Sequence, residues 1–133
     1  MKLIYEVFDL VKSSKNVDDK INVLRKNETW ALKDVLRGTY DPKVKWNVPT
    51  GKPPYEPNQG HNAPANLLKQ NKQFKYFVTE QVPTTKREAL WIGLLEGIPK
   101  EEAELLDLLK DGVWAFPNIT KEIAVSAFPE ISR

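Results

Sequence analysis

Residues 40–64 read YDPKVKWNVPTGKPPYEPNQGHNAP and separate two regions of the chain that carry helical patterns. This stretch holds six of the ten prolines and the only histidine of the sequence. Proline fixes φ and has no backbone N–H, so neither a helix nor a central strand can run through it. Because so long an irregular connection is uncommon in a compact domain unless it is functional or disordered, we expect a binding site here.

Three segments before this stretch have apolar residues at helical spacing, namely residues 2–13, 17–26 and 28–37. Asn16 is the expected N-cap of the second helix, and Asn27 is that of the third. Gly38 is the expected stop of the third helix, because glycine readily adopts the left-handed conformation found at helix ends. The short turns predict a helical lobe over residues 1–39. Its core is expected to include Leu10 and Val17, together with some combination of Trp30, Leu32, Val35 and Leu36.

Four more helices are predicted after the stretch: residues 63–79, Thr85 to a stop at Gly97, Pro99 to a stop at Gly112, and residues 121–128. Thr85 and Glu88 have the spacing of a capping box. Leu108 is among the side chains expected to be buried. These helices predict a second lobe over residues 63–133.

The fold class that follows is mainly α, a small bundle of about six or seven short helices with a long proline-rich extended connection. Residues 40–62, which we call the strap, join the lobes of residues 1–39 and 63–133. The three parts are expected to form one compact domain, because 133 residues fit a single core.

The strap is expected to have two different halves. Val44, Trp46 and Val48 alternate with Lys43, Lys45 and Asn47, a pattern that lets an extended chain place its apolar side chains on a surface. Residues 50–62 contain one aromatic residue, Tyr55, and no aliphatic one, so little apolar area offsets the entropy cost of ordering them. We therefore expect this second half to be mobile or polyproline-like, with Tyr55 at the surface.

No pattern in the sequence predicts a catalytic residue, a metal site or a cofactor, so an enzyme is not expected. The chain has no cysteine, which excludes disulfides and thiolate ligands, and His61 stands alone in the polar half of the strap. Four acids, Glu101, Glu102, Glu104 and Asp107, are expected around an exposed helix surface. The first residues do not resemble a signal peptide and no segment is apolar enough to span a membrane, so we expect an intracellular protein without membrane contact.

Charge is unevenly distributed along the chain. Residues 1–82 hold 14 Lys and Arg against 9 Asp and Glu, and residues 83–133 hold 6 against 9, which gives +5 and −3. A basic half permits phosphate contacts by Lys43, Lys45, Lys52, Lys69, Lys72 and Lys75, with Trp46 or Tyr55 stacking on bases. Binding to nucleic acid is thus one open alternative.

The sequence resembles an uncharacterised family of small proteins from T-even-like contractile-tailed bacteriophages, many of them marine or cyanobacterial. The segments that carry the resemblance are residues 20–27, 31–36, 40–42, 53–55, 94–97 and 102–106. The resemblance implies a phage product in the cytoplasm of a host bacterium. It implies no activity, and no functional residue is carried over from it.

Our leading hypothesis is a non-enzymatic interaction protein that binds a host or phage protein through the strap. The residues expected to bind the partner are Lys43, Lys45, Lys52, Pro54, Tyr55, Pro57 and His61. Besides a nucleic-acid-associated factor of phage replication or transcription, a minor component of the virion is the other alternative. The oligomeric state stays open.

Overall fold

The computed structural model describes residues 2–41, 43–49, 51, 53–56, 66–78 and 82–132. These residues form a mainly helical fold with seven α-helices and no β-strand, which confirms the predicted fold class. The helices are α1 (Ile4–Ser13), α2 (Val17–Lys26), α3 (Trp30–Tyr40), α4 (Leu67–Gln70), α5 (Thr84–Gly97), α6 (Lys100–Lys110) and α7 (Lys121–Ala127). Two 3₁₀ helices, Asn71–Tyr76 and Pro129–Ser132, continue α4 and follow α7.

Short polar side chains begin α2 and α3, as such side chains commonly do. The Asn16 Oδ1 accepts a hydrogen bond from the backbone N–H of Asp19 at 2.9 Å, which confirms the predicted cap of α2. The prediction of Asn27 as the cap of α3 is wrong, because Thr29 Oγ1 accepts the hydrogen bond from the backbone N–H of Leu32 at 3.0 Å. Asn27 instead follows the last turn of α2.

Gly38 does not stop α3, which continues to Tyr40. The role of this glycine is to leave room for the Trp46 side chain, since a Cβ at position 38 would lie 2.7 Å from Trp46 Cζ2. Trp46 Nε1 also donates a hydrogen bond to the Gly38 carbonyl at 3.1 Å. The sequence therefore identifies Gly38 correctly as a position that requires glycine, but the reason is close packing against Trp46 and not the end of a helix.

The predicted capping box of α5 is also wrong. The helix begins at Thr84 directly after Pro83, and its first turn shows no side-chain cap within the described part of the chain. α6 likewise begins at Lys100 directly after Pro99. Both prolines precede the helix with extended ψ angles of 142° and 146°, so Pro99 is not the first helical residue that it was expected to be. A proline before the helix removes no helical hydrogen bond.

The buried apolar residues of all seven helices form one cluster. α1 packs against α2 and α6, α2 packs against α7, and α3 packs against α4 and the final 3₁₀ helix. Three apolar residues that were expected in the core are instead exposed at the surface: Leu10, Val17 and Leu108, at 40%, 54% and 42%. Of the four candidates on α3, Leu32, Val35 and Leu36 are buried and Trp30 is exposed. In each of these helices, fewer apolar residues are buried than the apolar periodicity predicts.

The first half of the strap lies extended against the helices without forming a strand among the described residues. The backbone N–H of Asn47 donates to the Phe77 carbonyl at 2.6 Å. The half-buried Trp46 ring makes edge contacts with Phe74 and Trp91, with centroids 5.5 and 5.9 Å apart. This half is docked by its apolar side chains, as the alternating pattern indicates.

The described part of the second half is also anchored, which corrects the expectation of a mobile segment for these residues. The Lys110 side chain is fully buried, and its Nζ donates to the Gly51 carbonyl at 2.8 Å and lies 3.1 Å from Asp107 Oδ1. The Gly51 N–H donates to Asp111 Oδ2 at 3.1 Å. Tyr55 is only 9% exposed, so the expectation that it lies at the surface is wrong.

Candidate functional site

A groove of about 350 Å³ lies between α3, the first half of the strap and the 3₁₀ helix after α4. We call it the basic groove. Its apolar lining comes from Val44, Trp46, Phe74 and Val78, and its basic lining comes from Arg37, Lys72 and Lys75. Lys72 and Lys75 are exposed, whereas Phe74 is buried, so the cations border an apolar floor.

One acidic side chain holds two walls of the basic groove together. Asp34 Oδ2 accepts a hydrogen bond from Asn71 Nδ2 at 2.7 Å, which ties α3 to the 3₁₀ helix. Asp34 Oδ1 lies 3.5 Å from Arg37 NH1 on the same face of α3. Both carboxylate oxygens of Asp34 thus have partners within the protein. The side chain holds the two walls of the groove together and has little capacity left to bind a ligand.

Five lysines in this part of the chain are exposed, namely Lys43, Lys45, Lys69, Lys72 and Lys75, and two of them, Lys72 and Lys75, line the basic groove. Within the described part of the chain none of them forms an ion pair, although Lys75 Nζ lies 5.3 Å from the centroid of the Tyr76 ring. Lys33 and Lys110, in contrast, are buried against carboxylates. Among the described residues, Lys72 and Lys75 of the groove have no carboxylate partner, and this favours an anionic ligand.

Of the residues predicted to bind a partner, the four that the structure describes do not line one groove. Lys43 and Lys45 flank Val44 beside the basic groove, whereas Pro54 lines a separate, smaller groove of about 200 Å³ that also contacts Trp91. Tyr55 is buried, so it cannot present its ring to a partner in this structure. Lys52, Pro57 and His61 lie outside the described residues.

Sequence reasoning missed Arg37, Asp34 and Asn71 as parts of the site. Asp34 and Arg37 are one helical turn apart, which the sequence shows, but such a pair is common on solvated helices. Asn71 is more than thirty residues away along the chain, and only the hydrogen bond to Asp34 reveals its role. No local signal could have joined them.

A second unexpected group is Glu102 of α6, whose side chain is fully buried. The expectation of an exposed acidic surface is wrong for Glu102 and also for Asp107, which is 8% exposed. Glu102 Oε1 accepts a hydrogen bond from the backbone N–H of Leu67 at 3.1 Å, and the backbone N–H of Ile4 also acts on this carboxylate. Burial raises the pKa of this carboxyl to about 7, with a smaller upward contribution from Glu101.

The described residues show no group of His, Cys, Asp or Glu side chains that could hold a metal ion. Among the helices described, none has the length and apolar composition needed to cross a membrane. These two findings bear only on the described part of the chain. The arrangement that remains as a candidate site is the basic groove, whose chemistry is attraction of negative charge and burial of apolar surface.

Comparison with curated proteins gives no match. A family profile, in contrast, matches residues 7–114, which extends from α1 to just beyond α6 and includes every element that lines the basic groove. The profile covers most of the 133 residues. The chain therefore belongs to DUF6433, a family of unknown function.

Proposed function

We propose that this protein is a non-enzymatic binding protein that holds an extended acidic segment of a partner protein in the basic groove. The observation that carries the proposal is the placement of Arg37, Lys72 and Lys75 beside an apolar floor that includes Trp46. Carboxylates of the segment would pair with Lys72 and Lys75, since Arg37 already lies beside Asp34, and an apolar side chain of the segment would cover the floor.

A protein segment fits these observations better than nucleic acid does. Binding of single strands commonly relies on aromatic rings on which bases stack. Trp46 is held by Phe74, Trp91 and the Gly38 carbonyl, and Tyr55 is buried. Neither of the two rings expected to stack is thus freely presented. The exposed lysines could contact phosphates, which supports the nucleic-acid alternative, and a binding measurement with an oligothymidylate tests it.

The resemblance to phage proteins supports a host or phage protein in the host bacterial cytoplasm as the source of the segment. The alternative is that the protein is a minor component of the virion. Mass spectrometry of purified virions separates the two, because a packaged protein would be present at a reproducible copy number. Its absence from virions would favour a role inside the infected cell.

A selection from a random peptide library tests the proposed function. The immobilised protein should enrich peptides that combine Asp or Glu with an apolar residue. The variant Lys72→Glu/Lys75→Glu should bind these peptides at least about tenfold more weakly, a loss of about 1.4 kcal/mol. The matched control is Lys12→Glu/Lys121→Glu, which makes the same change in net charge at two exposed positions on α1 and α7.

Three results would overturn the proposal. The first is enrichment of peptides without acidic residues, and the second is equal binding by the groove variant and the control. The third is tight binding of an oligothymidylate with a steep dependence on salt and no binding of acidic peptides, which would establish the nucleic-acid alternative.

A further inference from the structure

Trp30 is the most exposed large apolar side chain described, with 73% of its surface accessible. The other three tryptophans, Trp46, Trp91 and Trp114, are packed against other rings. Single exposed apolar residues are common on protein surfaces. Tryptophan is nevertheless enriched among the residues that dominate binding energy at interfaces, so its position relative to the basic groove matters.

Trp30 lies on the same face of α3 as one wall of the basic groove. It precedes Asp34 by four residues and Arg37 by seven, and residues at these spacings lie above one another on a helix. Seven residues at 1.5 Å each place Trp30 about 10 Å along the helix axis from Arg37. A segment that leaves the groove along α3 would therefore pass over the indole.

The Trp30 ring is held in place by Lys33. The Lys33 Nζ lies 4.8 Å from the centroid of the Trp30 ring and also contacts the carboxylates of Glu28 and Glu130. Lys33 is itself only 8% exposed, so this cation is fixed by the fold. A ring that is already held loses less entropy on binding than a freely rotating side chain does.

We infer that Trp30 is a second contact for the acidic segment, one that packs against an apolar side chain about three residues from the acidic residues in the basic groove. The spacing follows from the distance of about 10 Å and a rise of about 3.3 Å per residue in an extended chain. This inference rests on the proposed function. The occupant is a protein segment rather than a second copy of this chain, because Lys72 and Lys75, in the groove that Trp30 extends along α3, call for a negatively charged ligand.

Fluorescein-labelled peptides with a constant Asp-Phe-Glu core test this inference. A single Leu is placed at increasing distance before or after the core, and a peptide with Ser in its place is the reference. Fluorescence anisotropy should show the highest affinity when Leu is about three residues from the core on one side. Trp30→Ala should reduce the affinity for that peptide about tenfold, to the level of the Ser peptide, which corresponds to about 1.4 kcal/mol.

Val17→Ala is the matched control, because Val17 is 54% exposed and lies on α2, away from the groove. It should leave all affinities unchanged. Thermal unfolding should give Trp30→Ala nearly the wild-type midpoint, since most of the ring is exposed, and this separates lost binding from lost folding.

The failure of this inference can be distinguished from the failure of the proposed function. If acidic peptides bind and depend on Lys72 and Lys75, but Leu position and Trp30→Ala have no effect, the Trp30 contact is wrong and the groove remains. If no acidic peptide binds, both are wrong. If sedimentation shows a dimer that Trp30→Ala dissociates and acidic peptides do not compete with, the occupant is a second copy, and the inference is overturned.

Discussion

Replacing Glu102 with Gln should remove a pH dependence of stability that arises from one buried carboxyl. Burial raises the pKa of Glu102 from 4.5 to about 7 in the folded protein, while the backbone N–H groups of Leu67 and Ile4 act in the opposite direction. The carboxyl of Glu102 binds its proton more tightly in the folded state than in the unfolded state. Protonation of Glu102 therefore stabilises the folded protein most below about pH 4.5, and this stabilisation is lost as the pH rises towards 7.

The size of the effect follows from that difference. A shift from 4.5 to about 7 corresponds to about 3 kcal/mol, at about 1.4 kcal/mol for each pH unit. Gln is neutral at every pH and its carbonyl oxygen can still accept from the Leu67 N–H. Glu102→Gln should therefore match the wild type near pH 4.5 and exceed its stability by up to about 3 kcal/mol above pH 7, less any cost of burying the amide N–H₂.

Urea unfolding of both proteins at a series of pH values between about 4.5 and 8 measures this difference. Glu104→Gln is the control on the same helix, because its side chain is 54% exposed and its contact with Lys100 is a long surface pair at 3.9 Å. The reasoning is refuted if the free energies of unfolding of wild type and Glu102→Gln differ by the same amount at every pH.

Three further substitutions test the packing described above, each by chemical or thermal unfolding. Gly38→Ala should be destabilising, because its Cβ would lie 2.7 Å from the Trp46 ring. Gly93→Ala should instead stabilise α5 by about 0.5–1 kcal/mol, since no described atom lies within 4 Å of the new Cβ. Equal effects of the two substitutions would contradict the packing of Trp46. Lys110→Met should cost about 3–5 kcal/mol by leaving buried Asp107 unpaired, and adding Asp107→Asn should recover part of this; no recovery would mean that the ion pair is not the cause. Tyr55→Ala should lower the free energy of unfolding by about 3 kcal/mol, as expected for a buried ring. A decrease below about 0.5 kcal/mol would mean that Tyr55 is a surface residue.

Much of the helical fold could be predicted from the sequence, because helix formation depends on contacts between residues close along the chain. The prediction of α2 over residues 17–26 is confirmed at both ends, together with its Asn16 cap. The prediction was less accurate where a side chain packs against residues that are distant along the chain. α3 passes Gly38 because Trp46 packs there, and no local pattern contains that information.

The candidate site shows the same division. The basic character of the first 82 residues and the alternation of Lys43, Val44, Lys45 and Trp46 are visible in the sequence. Arg37 and Lys72 are 35 residues apart, and they line one groove because α3 packs against α4 and the following 3₁₀ helix, where Asn71 binds Asp34. Tyr55 was expected at the surface because it has no apolar neighbours in sequence, but its neighbours in space bury it.

The sequence by itself determined that this protein is mainly helical, where most helices lie, and that a proline-rich strap joins them, because periodicity, caps and proline act within a few residues. The tertiary structure alone decided which apolar side chains are exposed, which acids are buried and which cations share a groove. These properties depend on surfaces that meet only after folding, as Glu102 illustrates: its carboxyl is buried because α4 and α6 meet around it.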